Sequence, residues 1–126
     1  MSKSPFVPPQ RQLVVEVFVS DLRRSLAFYA ELGFQQGRVD GGFAVLTWEG
    51  CELFLDERPA ELLPRGTQAN VRVMVADVDE IWDRVSRLGL DVMAPIGDRY
   101  YGLRDFTVLD PDGFGIRFAS PIGGAE

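Results

Sequence analysis

Val15–Phe34 reads VEVFVSDLRRSLAFYAELGF, and Val71–Leu90 reads VRVMVADVDEIWDRVSRLGL. The two stretches align residue for residue without a gap. Val15, Val17, Val19, Asp21, Leu32 and Gly33 meet Val71, Val73, Val75, Asp77, Leu88 and Gly89. A repeat of this kind marks one supersecondary unit used twice. It predicts two like modules, with a functional cleft between them.

Each copy opens with strict alternation. Val15, Val17 and Val19 share one face, while Val14, Glu16 and Phe18 share the other. In the second copy Val71, Val73 and Val75 oppose Asn70, Arg72 and Met74. Period two with β-branched residues predicts a strand. The valine face calls for apolar cover, and the mixed face looks toward something more polar. A helix is predicted next in both copies. Asp21 and Asp77 stand at the N-cap, with Glu80 completing a capping-box pattern after Asp77. Leu22, Leu26, Tyr29 and Leu32, and likewise Val78, Ile81, Val85 and Leu88, recur at helical spacing. Gly33 and Gly89 close the helices.

Further strands are predicted over Phe34–Val39, Phe43–Trp48 and Glu52–Asp56, with turns at Asp40-Gly41-Gly42 and Glu49-Gly50. The second module offers Asp91–Met93, a Gly97–Gly102 stretch, Phe106–Leu109 and Gly115–Ala119, with a turn at Asp110-Pro111-Asp112-Gly113. The expected fold class is α+β: two βαβββ modules in tandem, their curved mixed sheets enclosing a central cavity. Module one covers residues 13–56, a Pro- and Gly-bearing linker 57–69, and module two 70–120, all within one domain of 126 residues. The N-terminal MSKSPFVPPQRQ reads as a Pro-stiffened extended arm, and the tail from Pro121 as frayed.

Composition narrows the function classes. The net charge is −6, with 13 Lys and Arg against 19 Asp and Glu. That disfavours nucleic acid and anionic membrane, since phosphate binding needs clustered cations. No apolar run approaches the roughly 20 residues of a membrane helix, and the N-terminus lacks the apolar stretch of a signal peptide. The single cysteine, Cys51, excludes an intrachain disulfide and suits a reducing cytoplasm. With no histidine partner it reads as inert. The absence of histidine removes the usual general base, the Ser–His and Cys–His pairs, and the commonest transition-metal ligand.

Three strings then carry a family resemblance: Val19-Ser20-Asp21-Leu22-x-x-Ser25-Leu26-Ala27-Phe28-Tyr29, Leu32-Gly33-Phe34, and Asp110-Pro111-Asp112-Gly113-Phe114-Gly115-Ile116-Arg117-Phe118. With the repeat they span nearly the whole chain. They resemble the vicinal oxygen chelate superfamily, which includes glyoxalase I, extradiol dioxygenases, fosfomycin-resistance enzymes and bleomycin-binding proteins. The resemblance implies metal seats on the first and last strands of each module, usually His or Gln and Glu. The matching positions are Val14, Phe54, Asn70 and Arg117. Val and Phe offer no lone pair, Asn one neutral oxygen, and Arg a permanent positive charge. No metal and no other cofactor is therefore expected. Glu16 and Glu52 are the carboxylates left for an alternative metal seat.

Among such proteins the chain most resembles the bleomycin-resistance branch, with its D-P-D-G-x-x-x-R ending and an aromatic-Gly segment before it. That resemblance implies a homodimer with pockets built across the subunits. The Pro-rich arm matches the N-terminal segment exchanged in that group. By alternation the cavity face collects Glu16, Phe18, Arg72 and Met74, joined by Trp48, Glu52, Phe54, Tyr100, Tyr101, Arg104 and Arg117. A mostly aromatic pocket with a few charges suits a flat organic ligand. Each residue also has a plainer use: Phe18, Phe54 and Met74 as core, Trp48 as cover over the sheet, Arg72 and Arg117 as ion-pair partners of Glu16 and Glu52. The acidic balance favours a cationic ligand, whereas the arginines favour an anionic or phenolate one. The leading expectation is a metal-free binding protein for an aromatic or antibiotic-like molecule. The alternatives are a glyoxalase-like lyase, isomerase or dioxygenase with a non-standard or absent metal, in which Glu16 or Glu52 beside Arg117 could serve as base, and a structural or regulatory module with a vestigial pocket.

Overall fold

In a computed structural model, residues 4–63 and 69–123 are described. The chain divides into two compact units, Met1–Leu63 and Pro64–Glu126, and the division falls inside the expected linker. The linker's Pro64 and Gly66 lie outside the described residues.

The first unit begins with a single helical turn, α1 (Pro9–Gln12), against the expectation of an extended arm. Pro9 takes the first helical position, where its fixed φ fits and its missing N–H is not needed. Then follow β1 (Val15–Val19), α2 (Leu22–Leu32), β2 (Gln35–Asp40), β3 (Phe43–Trp48), β4 (Cys51–Glu57) and a 3-10 turn at Ala60–Leu62. The strands lie in the order β1-β4-β3-β2. β1 pairs parallel with β4, and the other neighbours are antiparallel. Val17 and Val19 of β1, Ala44 and Leu46 of β3, and Leu53 and Leu55 of β4 are buried. They share the sheet face that receives Leu22, Phe28, Tyr29 and Leu32 of α2.

The second unit repeats the plan with β5 (Asn70–Met74), α3 (Val78–Leu88), β6 (Val92–Asp98), β7 (Leu103–Leu109) and β8 (Gly115–Pro121). Its order is β5-β8-β7-β6, again with one parallel pair, β5 with β8. Val78, Ile81 and Val85 of α3 are buried over Val73, Phe106, Val108, Ile116 and Phe118. Leu88, expected on the same stripe, is 40 % exposed at the helix end.

Both helices start and stop where the sequence says they should. Asp21 Oδ1 accepts from the Arg24 N–H at 3.1 Å. Asp77 Oδ1 accepts from the N–H groups of Asp79 and Glu80 at 3.2 and 3.4 Å. Gly89 is left-handed, with φ 66°; its N–H donates to the Ser86 carbonyl at 3.2 Å, and the turn it makes brings the Leu90 N–H back to the Val85 carbonyl at 3.3 Å. Each helix is also tied to the last strand of its own sheet. The Leu22 N–H donates to the Glu57 carboxylate at 2.9 Å. In the second unit the Val78 N–H donates to Ser120 Oγ at 2.9 Å, and that hydroxyl donates to the Val75 carbonyl at 2.8 Å.

Two strand boundaries depart most from expectation: β7 begins at Leu103 rather than Phe106, and β6 runs through two pieces expected apart. Val92, Met93 and Gly97 belong to a single strand, β6, although Pro95 and Gly97 interrupt the pattern. β6 is an edge strand, where proline and register shifts are tolerated, and its pairing with β7 shifts on both sides of Ala94.

Candidate functional site

The strand register sorts the expected site residues onto faces. In the first unit Glu16 pairs with Phe54 and Phe18 with Asp56. Phe43 pairs with Asp56, Val45 with Phe54, and Thr47 with Glu52. These residues share the sheet face turned away from α2. In the second unit Arg72 pairs with Arg117 and Met74 with Ala119. Thr107 pairs with Arg117, and Asp105 with Ala119. They share the face turned away from α3. The registers are the same, so Glu16 is the counterpart of Arg72 and Phe54 of Arg117.

Two expected residues fall on the opposite side. Trp48 lies in phase with Ala44 and Leu46, on the helix-packed face. It ends an edge-to-face aromatic ladder that runs from Phe28 through Tyr29 and Phe34, with centroid separations of 5.2, 5.3 and 5.0 Å. It borders a concavity of about 290 Å³ with Gly33, Gln35, Thr47, Glu49 and Gly50. Arg104 lies in phase with Phe106, Val108 and Ser120, also on the helix side. Its guanidinium binds Asp79 at 2.9 Å and Asp98 at 3.1 Å. These bonds raise the Arg104 pKa further and hold the Asp79 carboxyl below its usual range. Arg104 therefore lines, with Asp79 and Asp98, a concavity of about 420 Å³ at the start of α3. Tyr100 is 99 % exposed and makes an edge-to-face contact with the ring of its neighbour Tyr101 at 5.1 Å.

The face of the first unit is acidic and aromatic. Phe54 meets Phe43 at 5.1 Å. The Arg58 guanidinium pairs with Asp56 at 2.9 Å and lies 5.0 Å from the Phe18 ring centroid. Glu16 shares a hydrogen bond with Asp56, and this bond lifts the Glu16 pKa above the usual carboxyl value. Between two carboxyls such a bond requires a proton on one of them.

The face of the second unit centres on Asp105, which is buried. Its Oδ1 accepts from Arg99 Nε at 2.7 Å, and its Oδ2 accepts from the Tyr101 hydroxyl at 2.7 Å. Arg117 Nε stands 3.4 Å from Oδ2, as an ion pair but not a hydrogen bond. The Arg117 guanidinium also lies 5.5 Å from the Tyr101 ring centroid. Burial pushes the Asp105 pKa up, but the bonds from Arg99 and Tyr101 and the charge of Arg117 outweigh it and hold the carboxyl below its usual range. The same bond raises the Tyr101 pKa, because the hydroxyl donates to an anion. One carboxylate thus answers Arg99 and Arg117, and Arg72 adds a further positive charge.

Asp56, Arg58, Arg99 and Asp105 were not among the expected site residues. Asp56 continues the alternation of Glu52 and Phe54, so periodicity already contained it. Asp105 was missed because the strand was expected to begin at Phe106. Nothing in the order of residues signals that Arg99, in the turn after β6, reaches Asp105.

The residues do not fit a divalent metal. Phe54 and Arg117, at matched register positions, offer a ring and a cation. Among the described residues no three Asp, Glu, His or Cys side chains converge as a metal would require.

Residues 11–118 match the Glyoxalase/Bleomycin resistance protein/Dioxygenase superfamily. A bleomycin resistance protein of Geobacillus stearothermophilus is 33 % identical over 122 residues, covering 82 % of this chain and 92 % of that protein. Among solved structures, a glyoxalase/bleomycin resistance protein/dioxygenase from Alicyclobacillus acidocaldarius matches with a TM-score of 0.76 at 16 % identity, over 92 % of this chain and 96 % of that one. A bleomycin-binding protein complexed with bleomycin matches at 0.71 and 22 % identity, over 86 % and 97 %. At these identities the structures speak for the fold.

Proposed function

Because the chain belongs to the glyoxalase/bleomycin resistance protein/dioxygenase superfamily, we propose that it is a metal-free binding protein that sequesters an aromatic or antibiotic-like small molecule. The observation that carries this reading is the pair of matched positions Phe54 and Arg117, which put an aromatic ring and a fixed cation on the sheet face of each unit that is turned away from its helix. A ring and a guanidinium bind organic molecules and cannot ligate a metal. The likeness to a bleomycin resistance protein supports the same direction. In this reading the two modules form one domain and the protein works as a homodimer in the cytoplasm, with Glu16, Phe18, Glu52, Phe54, Arg72, Met74, Tyr101 and Arg117 as ligand contacts.

The test is calorimetric titration of the purified chain with metal-free and copper-loaded bleomycin, paired with elemental analysis after mild purification. Saturable binding with unaltered bleomycin recovered is the expected result. One divalent metal per chain, or chemical change in the bound molecule, would overturn it. A second reading has one observation behind it. The raised Glu16 carboxyl beside Asp56 is a candidate proton donor for a metal-free lyase or isomerase. Turnover that disappears in Glu16→Gln would favour it.

A further inference from the structure

The second unit's face turned away from α3 carries more positive charge than its one buried carboxylate balances, with Arg72, Arg99 and Arg117 set against Asp105. Arg72 and Arg117 stand side by side in register on adjacent parallel strands. Like charges placed so destabilise a sheet. Arg72 has no hydrogen-bond or ion-pair partner among the described residues. Arg117 Nε is buried without an acceptor, and its nearest anion, Asp105, already spends both oxygens on Arg99 and Tyr101. The Arg117 guanidinium is nonetheless held in place, by the Asp105 charge at 3.4 Å and the Tyr101 ring at 5.5 Å. A guanidinium held at its buried Nε, in a side chain still 26 % exposed, is preorganised for a planar oxyanion. Met74, 43 % exposed, adds apolar surface two residues from Arg72 on the same face, and Tyr101 adds a ring beside Arg117.

We propose that this face binds the carboxylate of an aromatic molecule between Arg72 and Arg117, with Tyr101 and Met74 against its ring. The proposal rests on the small-molecule-binding reading and names the charge of the ligand. Asp105 is a positioning residue in it: it never meets the ligand, and it fixes Arg117. The acidic face of the first unit, with Glu16, Glu52 and Asp56 against Arg58, is the wrong sign for such a group.

The test uses the full chain and four probes: 2-naphthoate, its uncharged amide, a naphthylmethylammonium ion and inorganic phosphate. Binding is read by calorimetry and by NMR of the arginine Nε groups. Naphthoate is expected to shift the Arg72 and Arg117 signals and to bind at least about tenfold tighter than the amide, the worth of one charge-assisted hydrogen bond. Arg72→Gln and Arg117→Gln should each lose about tenfold for naphthoate and clearly less for the amide, whose neutral oxygen gains less from a guanidinium. The backbone spectra of the two variants check that both remain folded. Naphthoate and amide binding alike, preference for the ammonium ion, or phosphate shifting the arginines while naphthoate does not would each overturn the proposal. Bleomycin is titrated on the same sample. Bleomycin bound and naphthoate ignored sinks this inference alone, whereas indifference to both sinks the binding reading with it.

Discussion

Replacing Asp105 by Asn removes one charge and leaves the shape almost unchanged, so it isolates what the carboxylate does. The side chain is 4 % exposed and accepts two short bonds at 2.7 Å, from Arg99 and Tyr101. Hydrogen bonds to a charged group contribute about 1.5–3 kcal/mol each. Asparagine keeps one acceptor oxygen, so one charged bond is lost and the other is reduced to a neutral one. The arginines keep some access to water, with side chains 31 % and 26 % exposed, so the loss stays below the 3–5 kcal/mol of a fully buried pair. The expected destabilisation at pH 7 is about 2 kcal/mol. Asp105→Ala should cost about 3 kcal/mol, and Tyr101→Phe about 1. Urea unfolding reports it through Trp82, whose ring lies 5.1 Å from Phe106. The sign with pH follows from the lowered carboxyl. A depressed pKa contributes stability above the unfolded value of about 3.9 and loses it as the pH falls through the folded value. The gap between wild type and Asp105→Asn should hold from pH 7 to 5 and close below about pH 4. A deficit under ~0.5 kcal/mol at pH 7, or one unchanged down to pH 2.5, would refute the reasoning.

Phe118→Ala, at a fully buried position, should cost about 3–5 kcal/mol in denaturant unfolding, and a loss below about 1.5 would mean the core collapses around the gap. Ser120→Ala leaves the Val78 N–H and the Val75 carbonyl without their shared hydroxyl and should cost about 1–2 kcal/mol. Glu57→Gln, at an exposed position, should cost less than about 1 kcal/mol, and a reversed order in melting would contradict the burial argument. Glu16→Gln should change how stability responds to acid. The raised Glu16 pKa means its contribution is complete below the unfolded value and fades as the pH rises through the folded one. The wild type should thus gain on the variant as the pH falls from neutral toward the unfolded value of about 4.3, and parallel stability curves over that range would count against the Glu16–Asp56 bond.

The architecture was legible because each of its signals is short-range. Alternating valines, aspartate caps and closing glycines act within a few residues, and the repeat supplied each signal twice. What escaped depended on longer relations or on exceptions. Pro8 and Pro9 read as extended chain, yet Pro9 suits the first position of a helical turn. Asp91–Met93 and Gly97–Gly102 read as separate pieces, but Pro95 between them lies on an edge strand, where its missing N–H is harmless. Trp48 was assigned by its chemistry, while its phase with Leu46 puts it under the helix. Arg104 was assigned without a phase, because its strand was expected to start two residues later. The buried Asp105 network joins a turn, two strands and a tyrosine, and no local pattern encodes that convergence.

The parallel pairing of first strand with last has a consequence for how each unit comes into being. β1 has no sheet neighbour until β4 is present, and β5 none until β8. The helix between them is fastened to that same last strand, by Glu57 in one unit and Ser120 in the other. Closing these long loops comes before any return in contacts, which makes nucleation slow. On the ribosome, a nascent chain ending short of Glu57 would hold its first strand and helix without their fastening. Each unit should therefore acquire protection from proteolysis in one late step, when its final strand leaves the exit tunnel.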